Sequence, residues 1–473
     1  MDEWPCIVGG RERKTDDRYV IRNPFSGNSI GQVCRCSGAD IEDSLQTATA
    51  GAAETALLPA HRRAAILRRL AELMTTHREE FVSLLIAEGG KPRRNAEGET
   101  ARAIETILIS AEESVRIGGE VIPLDRTVPG EGCVGIVQRF PVGVVLGITP
   151  FNFPLNLACH KLGPAVASGN AIILKPASAT PFSSLLLGRL LLEAGYPPSA
   201  VSVLVCRPDD AEVLAADPRI GCVSFTGSPD VGWRLRSRAS CGKVTLELGG
   251  NGAVIVHEDS DLSRAAFRII EGGFSQAGQV CISVQRVFVH RPVYEPLLAR
   301  LCELADALVI GDPADPKTDV GPMISEEAAQ HALKRINDAC TAGATLVRGG
   351  TLTGSLLQPA ILTGTSGGME VNCREVFAPI ITVTPYDRFE EAVDAVNDSV
   401  YGLQAGVFTR DLSRARYAFS RLAVGTVIIG DIPTFRVDMM PYGGVKRSGC
   451  GREGPRYAIE EMTDARMMVI RDL

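Results

Sequence analysis

The 473-residue chain has no surplus of positive charge: 49 Lys and Arg stand against 56 Asp and Glu, a formal net charge of −7. That argues against a nucleic-acid surface and against binding to anionic membranes, while leaving room for a local basic pocket. No C-x-x-C pair occurs among the 13 cysteines, and Cys34 and Cys36 are too close and too isolated for a zinc site. The six histidines are dispersed, none beside a Cys or Asp at ligand spacing, so no metal centre is expected. An odd number of singly scattered cysteines reads as reduced thiols in a cytoplasmic protein. The opening MDEWPCIVGG has neither a basic start nor an apolar run, so no signal peptide is expected. Apolar stretches such as VGVVLGI fall far short of the roughly 20 residues a membrane helix needs.

What is present is α/β periodicity. The length implies two or three domains. Short strands and turns fill residues 1–35, with a turn at Asn23–Gly27. Leu67, Leu70, Leu73, Met74, Phe81, Leu84 and Leu85 recur at helical spacing and predict one helical region over 58–88, stopped by Gly89, Gly90 and Pro92. A second helix is predicted over 95–117. Strands at 142–148, 171–174, 201–205, 221–225 and 253–256 then alternate with helices at 155–168, 181–194, 209–216 and 229–239. This alternation implies a doubly wound parallel sheet, and its resumption after residue 260 implies a second α/β domain.

Two stretches fit the dinucleotide fingerprint G-x-G-x-x-G: GEGCVG at 130–135 and GCGREG at 449–454. That fingerprint must follow a strand and open a helix. No helix follows the first and no strand precedes the second, so neither qualifies. A better phosphate cradle is Phe225-Thr226-Gly227-Ser228-Pro229, which follows a strand and opens a helix. There Ser228 is expected to cap the helix and Pro229 to occupy its first position, leaving free N–H groups for a phosphate.

Five further stretches carry chemistry: TPFNFP at 149–154, LKP at 174–176, ELGGN at 247–251, GQVC at 278–281 and EVFAP at 375–379. In this order and spacing, joined by GDPADPKTDVGPMIS at 311–325 and PYGGVKRSGCGREG at 441–454, the chain resembles the aldehyde dehydrogenase superfamily over nearly its whole length. Oxidising an aldehyde by hydride transfer first needs a tetrahedral adduct, for which a cysteine thiolate is a suitable nucleophile. The resemblance implies Cys281 as that nucleophile, and the Gly-Gln pair before it reads as flexible, on a loop expected to be mobile. It implies Asn152 and the Cys281 N–H as oxyanion donors and Glu247 as the base that activates water. For NAD or NADP it implies Lys175 at the adenosine ribose, with Ser178 beside it. Gly227 and Ser228 then fall at the pyrophosphate and Glu375 at the nicotinamide ribose, with Phe377, Thr149 and Phe151 close by.

Relatives often carry Glu where Ser178 stands, so the charge that repels a 2′-phosphate is missing and NADP becomes plausible. The substrate pocket is expected from Phe153, Leu157 and His160. Arg102 and Arg436 could join His160 in holding an anionic tail, or could serve only as structural ion pairs beside a packed ring. Two alternatives to hydrolysis stay open: an enzyme that passes the acyl group to coenzyme A, and a non-catalytic scaffold on the same fold. The fold expected is two doubly wound α/β domains plus a small β-arm: residues 1–120 and 141–248 for the cofactor, 249–440 for the nucleophile, and 121–140 with 455–473 for oligomerisation. An apolar strand at Ala465–Leu473 would pair across subunits of a homodimer or homotetramer. The implied substrate is a small aldehyde.

Overall fold

The computed structural model describes residues 3–471. Its first large sheet has eight strands in the spatial order Gly449–Cys450, Lys243–Leu248, Ile220–Gly227, Val144–Ile148, Ala171–Lys175, Val201–Val203, Cys6–Val8 and Arg11–Arg13. The five from Lys243–Leu248 to Val201–Val203 are parallel, and the flanking strands run antiparallel. Strands Val144–Ile148 and Ala171–Lys175 are buried at every position. A parallel sheet covered on both faces demands such continuous apolar runs. Within the parallel core, chain order reverses between Val144–Ile148 and its neighbour Ile220–Gly227. Ligands of open α/β sheets bind outside the carboxyl ends of strands at such a reversal. Here those ends lead into Thr149 and Ser228.

The second sheet has seven strands in the order Thr345–Arg348, Ala360–Thr363, Ile380–Tyr386, Val284–His290, Gly252–Val256, Gln404–Phe408 and Thr426–Ile429, parallel except at the Thr345–Arg348 edge. A third, antiparallel sheet pairs Thr463–Arg471 with Cys133–Pro141, and that strand with Glu120–Pro123. Among the described residues both of its edges are unpaired, and it exposes Val121 (72%), Met467 (53%) and Met468 (55%). Of the expected strand 465–473, residues 472 and 473 lie outside the described residues.

Several expectations need correction. The single helix over 58–88 is two, Ala60–Thr76 and Arg78–Gly89. His77 breaks them with φ −91° and ψ 16°. The helix Gly38–Thr55 has no counterpart in the sequence reading, although Ser37 and Asp40 form a capping box at its start. Residues 455–461 are not arm strand but the helix Pro455–Glu461, packed on helices Asn156–Ser168 and Arg93–Ser114. GEGCVG leads into strand Cys133–Pro141, and Gly449–Cys450 of GCGREG pairs with the strand carrying Glu247.

Candidate active site

A cleft of about 540 Å³ lies at the reversal point. Its walls include Asn152, Glu247 and Cys281 together with all eight expected cofactor residues: Thr149, Phe151, Lys175, Ser178, Gly227, Ser228, Glu375 and Phe377. Leu157 also lines it, whereas Phe153, His160, Arg102 and Arg436 do not.

Asn152 sits on a braced loop. The backbone carbonyl of Asn152 accepts from Lys91 Nζ at 2.8 Å and from the Gln276 side chain. Lys91 is ion-paired with Glu99, which also accepts from the N–H groups of Leu155 and Asn156 at the start of helix Asn156–Ser168. Both partners are buried, so removing either would strand the other's charge. The Asn152 side-chain amide donates to the Gln279 carbonyl at 2.9 Å.

The loop that carries Cys281 is braced by its own turn and its neighbours. Gln276, Ala277 and Gly278 take left-handed φ of 51°, 53° and 67° in succession. At Gly278 a Cβ would meet the Ala378 carbonyl oxygen at 2.1 Å, so only glycine fits. Gln279 is buried, accepts from the Ile324 N–H at 2.9 Å and donates to the Gln276 carbonyl at 3.2 Å. The expected flexible Gly-Gln pair is therefore a pinned turn that fixes Cys281. Strain held by surrounding structure is typical of functional sites.

Glu247 is the last residue but one of strand Lys243–Leu248, and both of its carboxylate oxygens are buried with no hydrogen-bond partner among the described residues. Burial, then the nearby Glu453 carboxylate, raises its pKa to about 7. A carboxyl poised near neutrality suits a general base. Burial and Glu247 push the Cys281 thiol well above its usual range. Burial likewise raises Glu375 to about 8, although its carboxylate accepts from the Gly250 N–H at 3.0 Å. Gly249 leaves room for it: a Cβ there would lie 2.0 Å from a Glu375 oxygen.

The residues of the cleft fit a dinucleotide. Lys175 is buried, and its ammonium donates only to the Pro176 carbonyl at 3.3 Å among the described residues, so burial lowers its pKa. Ser178 lies exposed at the rim. Ser228 precedes helix Pro229–Arg238, with Pro229 at its first position, but its side chain makes no capping bond. That corrects the expected cap and leaves the hydroxyl and the first N–H groups available to a phosphate.

The expected anion trio is already paired. Arg102 grips Asp438 with both guanidinium arms at 3.0 and 2.8 Å, and His160 Nε2 lies 2.8 Å from the same carboxylate. Burial would raise the Asp438 carboxyl, but His160 and Arg102 outweigh it and hold it well below the usual range. Arg436 donates to Glu453 at 3.2 Å and lies 3.1 Å from His160. Two buried atoms of the group stay unpartnered, Arg436 Nε and His160 Nδ1. Phe153 packs with Val280, Ile282, Leu403 and Tyr442 around Cys281.

Sequence reasoning missed Lys161, Glu453, Asp438, Tyr442, Lys91 and Glu99. Lys161 Nζ donates to Glu453 at 3.0 Å and to Thr226 at 2.8 Å. Lys161 and Arg436 overcome the burial of Glu453 and hold it at about 2. One signal existed: a lysine inside the apolar run that becomes the wholly buried helix Asn156–Ser168 must find an acidic partner. His257, Glu258 and His290 do come together, with ligand atoms within 4.8 Å, which corrects their apparent dispersal. Their two imidazoles stack at 4.4 Å and 17°, however, so one ion could not lie in both ring planes.

This arrangement has known relatives. The family model for the aldehyde dehydrogenase family matches residues 11–468. The 3-sulfolactaldehyde dehydrogenase of Priestia aryabhattai is 42% identical over 99% of this chain and 98% of its own length. Aldehyde dehydrogenase 21 from Physcomitrella patens, solved with the reaction product succinate, superposes with TM-score 0.97 at 38% identity, covering 99% of this chain and 98% of that one. The NADP-dependent glyceraldehyde-3-phosphate dehydrogenase of Bacillus halodurans, solved with NADP, gives TM-score 0.96 at 34% identity over the whole of both chains. The chain belongs to the aldehyde dehydrogenase family. It is an oxidoreductase that oxidises a small aldehyde with NAD or NADP. Among the described residues no helix is long and apolar enough to cross a membrane.

Proposed function

We propose that the substrate is a short aldehyde with an anionic tail, oxidised to the free acid. Cys281 attacks the carbonyl carbon, and Asn152 with the Cys281 N–H holds the oxyanion of the thiohemiacetal. Lys175, Ser178, Ser228 and Glu375 hold the cofactor, which supplies hydride acceptance. Glu247 then takes a proton from the water that hydrolyses the thioester. The observation that carries this reading is the unpartnered Glu247 carboxyl, raised to about 7, lining the same cleft as Cys281 and Asn152. It favours water over coenzyme A as acyl acceptor.

The tail reading rests on Arg102 and Arg436, with support from relatives whose names carry a sulfonate, a phosphate or a dicarboxylic product. Asp438 already engages Arg102, so the tail would share that guanidinium, with the Arg436 charge behind it. Arg102 is a third exposed, and its removal leaves Asp438 still bonded to His160 and Asn156. Arg102→Ala is therefore expected to raise KM for anionic aldehydes about 10- to 100-fold, the worth of a charge-assisted hydrogen bond. Neutral aldehydes of the same length should barely change. The readout is cofactor reduction across a panel of aldehydes, and an unaltered preference between charged and neutral ones would sink the tail assignment.

We infer that NADP is accepted, because Lys175 and Ser178 present no negative charge to a 2′-phosphate. Ser178→Glu should lower kcat/KM with NADP about 10²-fold through like-charge repulsion and spare NAD. Equal losses with both cofactors would place residue 178 away from the 2′-position. The open edges Glu120–Pro123 and Thr463–Arg471, with their exposed apolar side chains, support a homodimer or homotetramer, which sedimentation velocity reads directly. Thirteen free thiols suit a reducing cytoplasm.

A further inference from the structure

Tyr442 stands in the PYGG turn that follows the Arg436 loop, and it is 1% exposed. Its backbone is clamped to Glu453 on both sides: its N–H donates to the Glu453 carbonyl at 3.1 Å, and its carbonyl accepts the Glu453 N–H at 2.6 Å. That clamp fixes where the phenol points. The hydroxyl lies 3.1 Å from Cys281 Sγ and has no second partner among the described residues. The surrounding side chains, Phe153, Val280, Ile282 and Leu403, are apolar. On this side the sulfur faces apolar side chains, so the phenol hydroxyl supplies a polar contact for a thiolate there.

The guanidinium of Arg436 covers the ring, its carbon 3.6 Å from the centroid. Arg436 is itself held by Glu453 and 6% exposed. A cation on the ring face draws electron density from the phenol and makes its O–H a stronger donor. The sulfur needs that help, because burial and the Glu247 carboxylate both disfavour a second negative charge beside them. The Tyr442 hydroxyl and the Arg436 charge act in the opposite direction.

We propose that Tyr442 is a catalytic residue: its hydroxyl donates to Cys281 Sγ, stabilises the thiolate and aims it at the substrate carbonyl, with Arg436 on the ring strengthening the bond. When the thiol ionises, its proton leaves through the cleft to solvent, and the phenol keeps its own. On attack the sulfur lone pair forms the C–S bond, the carbonyl π pair moves onto oxygen, and the O–H···S contact weakens as the charge departs. Tyr442 transfers no proton. The proposal rests on Cys281 being the nucleophile.

The test is the pH dependence of Cys281 alkylation by iodoacetamide in the intact enzyme, followed by mass spectrometry of the Cys281 peptide so that other thiols do not contribute. Tyr442→Phe keeps the ring and its packing and removes only the donor. Its alkylation midpoint should rise by about one pH unit, leaving about tenfold less thiolate at neutral pH. The value of kcat/KM should fall by a similar factor for charged and neutral aldehydes alike, with Tm unchanged. Tyr442→3-fluorotyrosine, whose phenol is a stronger acid, should move the midpoint the opposite way and covers the case in which Tyr442→Phe folds poorly. A midpoint that stays at the wild-type value in both variants overturns the proposal. If Cys281→Ala retained activity, the underlying reading of the nucleophile would fail instead.

Discussion

Cys281→Ala is expected to abolish aldehyde oxidation, lowering kcat by about 10⁴-fold or more, while the enzyme still binds cofactor and melts at its usual temperature. The size follows from what the sulfur does. Without a covalent adduct there is no alkoxide from which hydride can leave, and the remaining groups cannot replace a nucleophile whose partners act as a unit. Structure should survive because Cys281 is a small side chain at the edge of its apolar cluster, and its geometric hydrogen bond goes to Tyr442. The turn is held by Gln279 and by the glycine at 278, neither of which needs the thiol. The measurement is steady-state cofactor reduction beside cofactor titration and thermal melting. Substantial activity in a folded, cofactor-binding variant would place the nucleophile elsewhere.

Glu247→Gln should separate the two halves of the reaction. A general base contributes about 10²- to 10⁴-fold. Its loss should slow thioester hydrolysis by that amount, yet leave one rapid turnover of cofactor reduction per active site. The burst should be matched by an acyl group on the Cys281 peptide. The wild-type pH profile follows from the sign of the shift: burial and then Glu453 raise the Glu247 carboxyl to about 7. Below that pH it is protonated and cannot accept the water's proton; above it, it can. The kcat profile should therefore climb through about pH 7 and level off, and Glu247→Gln should lose this limb. Slow turnover with no burst would instead assign Glu247 to a step before the thioester.

Much of this was legible in the sequence because it is local. Lys175 and Glu247 each end or nearly end a buried strand, and Asn152 follows one, so a short motif carries both the chemistry and its position. The strands themselves announce their burial as unbroken apolar runs. The rest depends on partners far apart in the chain. Glu453 lies in a glycine-rich stretch that suggested only a false fingerprint, yet it meets Lys161, Thr226 and Arg436. The positive charge of Arg102 and Arg436 was visible, but the acid that engages Arg102 was not. Asp438 stands two residues beyond Arg436 and faces a helix from the first quarter of the chain. Ser228-Pro229 looks like a helix cap, but the hydroxyl makes no capping bond.

The strand Gly449–Cys450 lies beside Glu247, and the turn around it brings Tyr442 to Cys281 and Glu453 to Lys161. These pairs join the last tenth of the polypeptide to its middle. A chain ending short of residue 442 would hold the sulfur and lack both the hydroxyl beside it and the carboxylate that lifts Glu247 toward neutrality. The groups that would tune Cys281 and Glu247 thus come from a segment far along the chain from either.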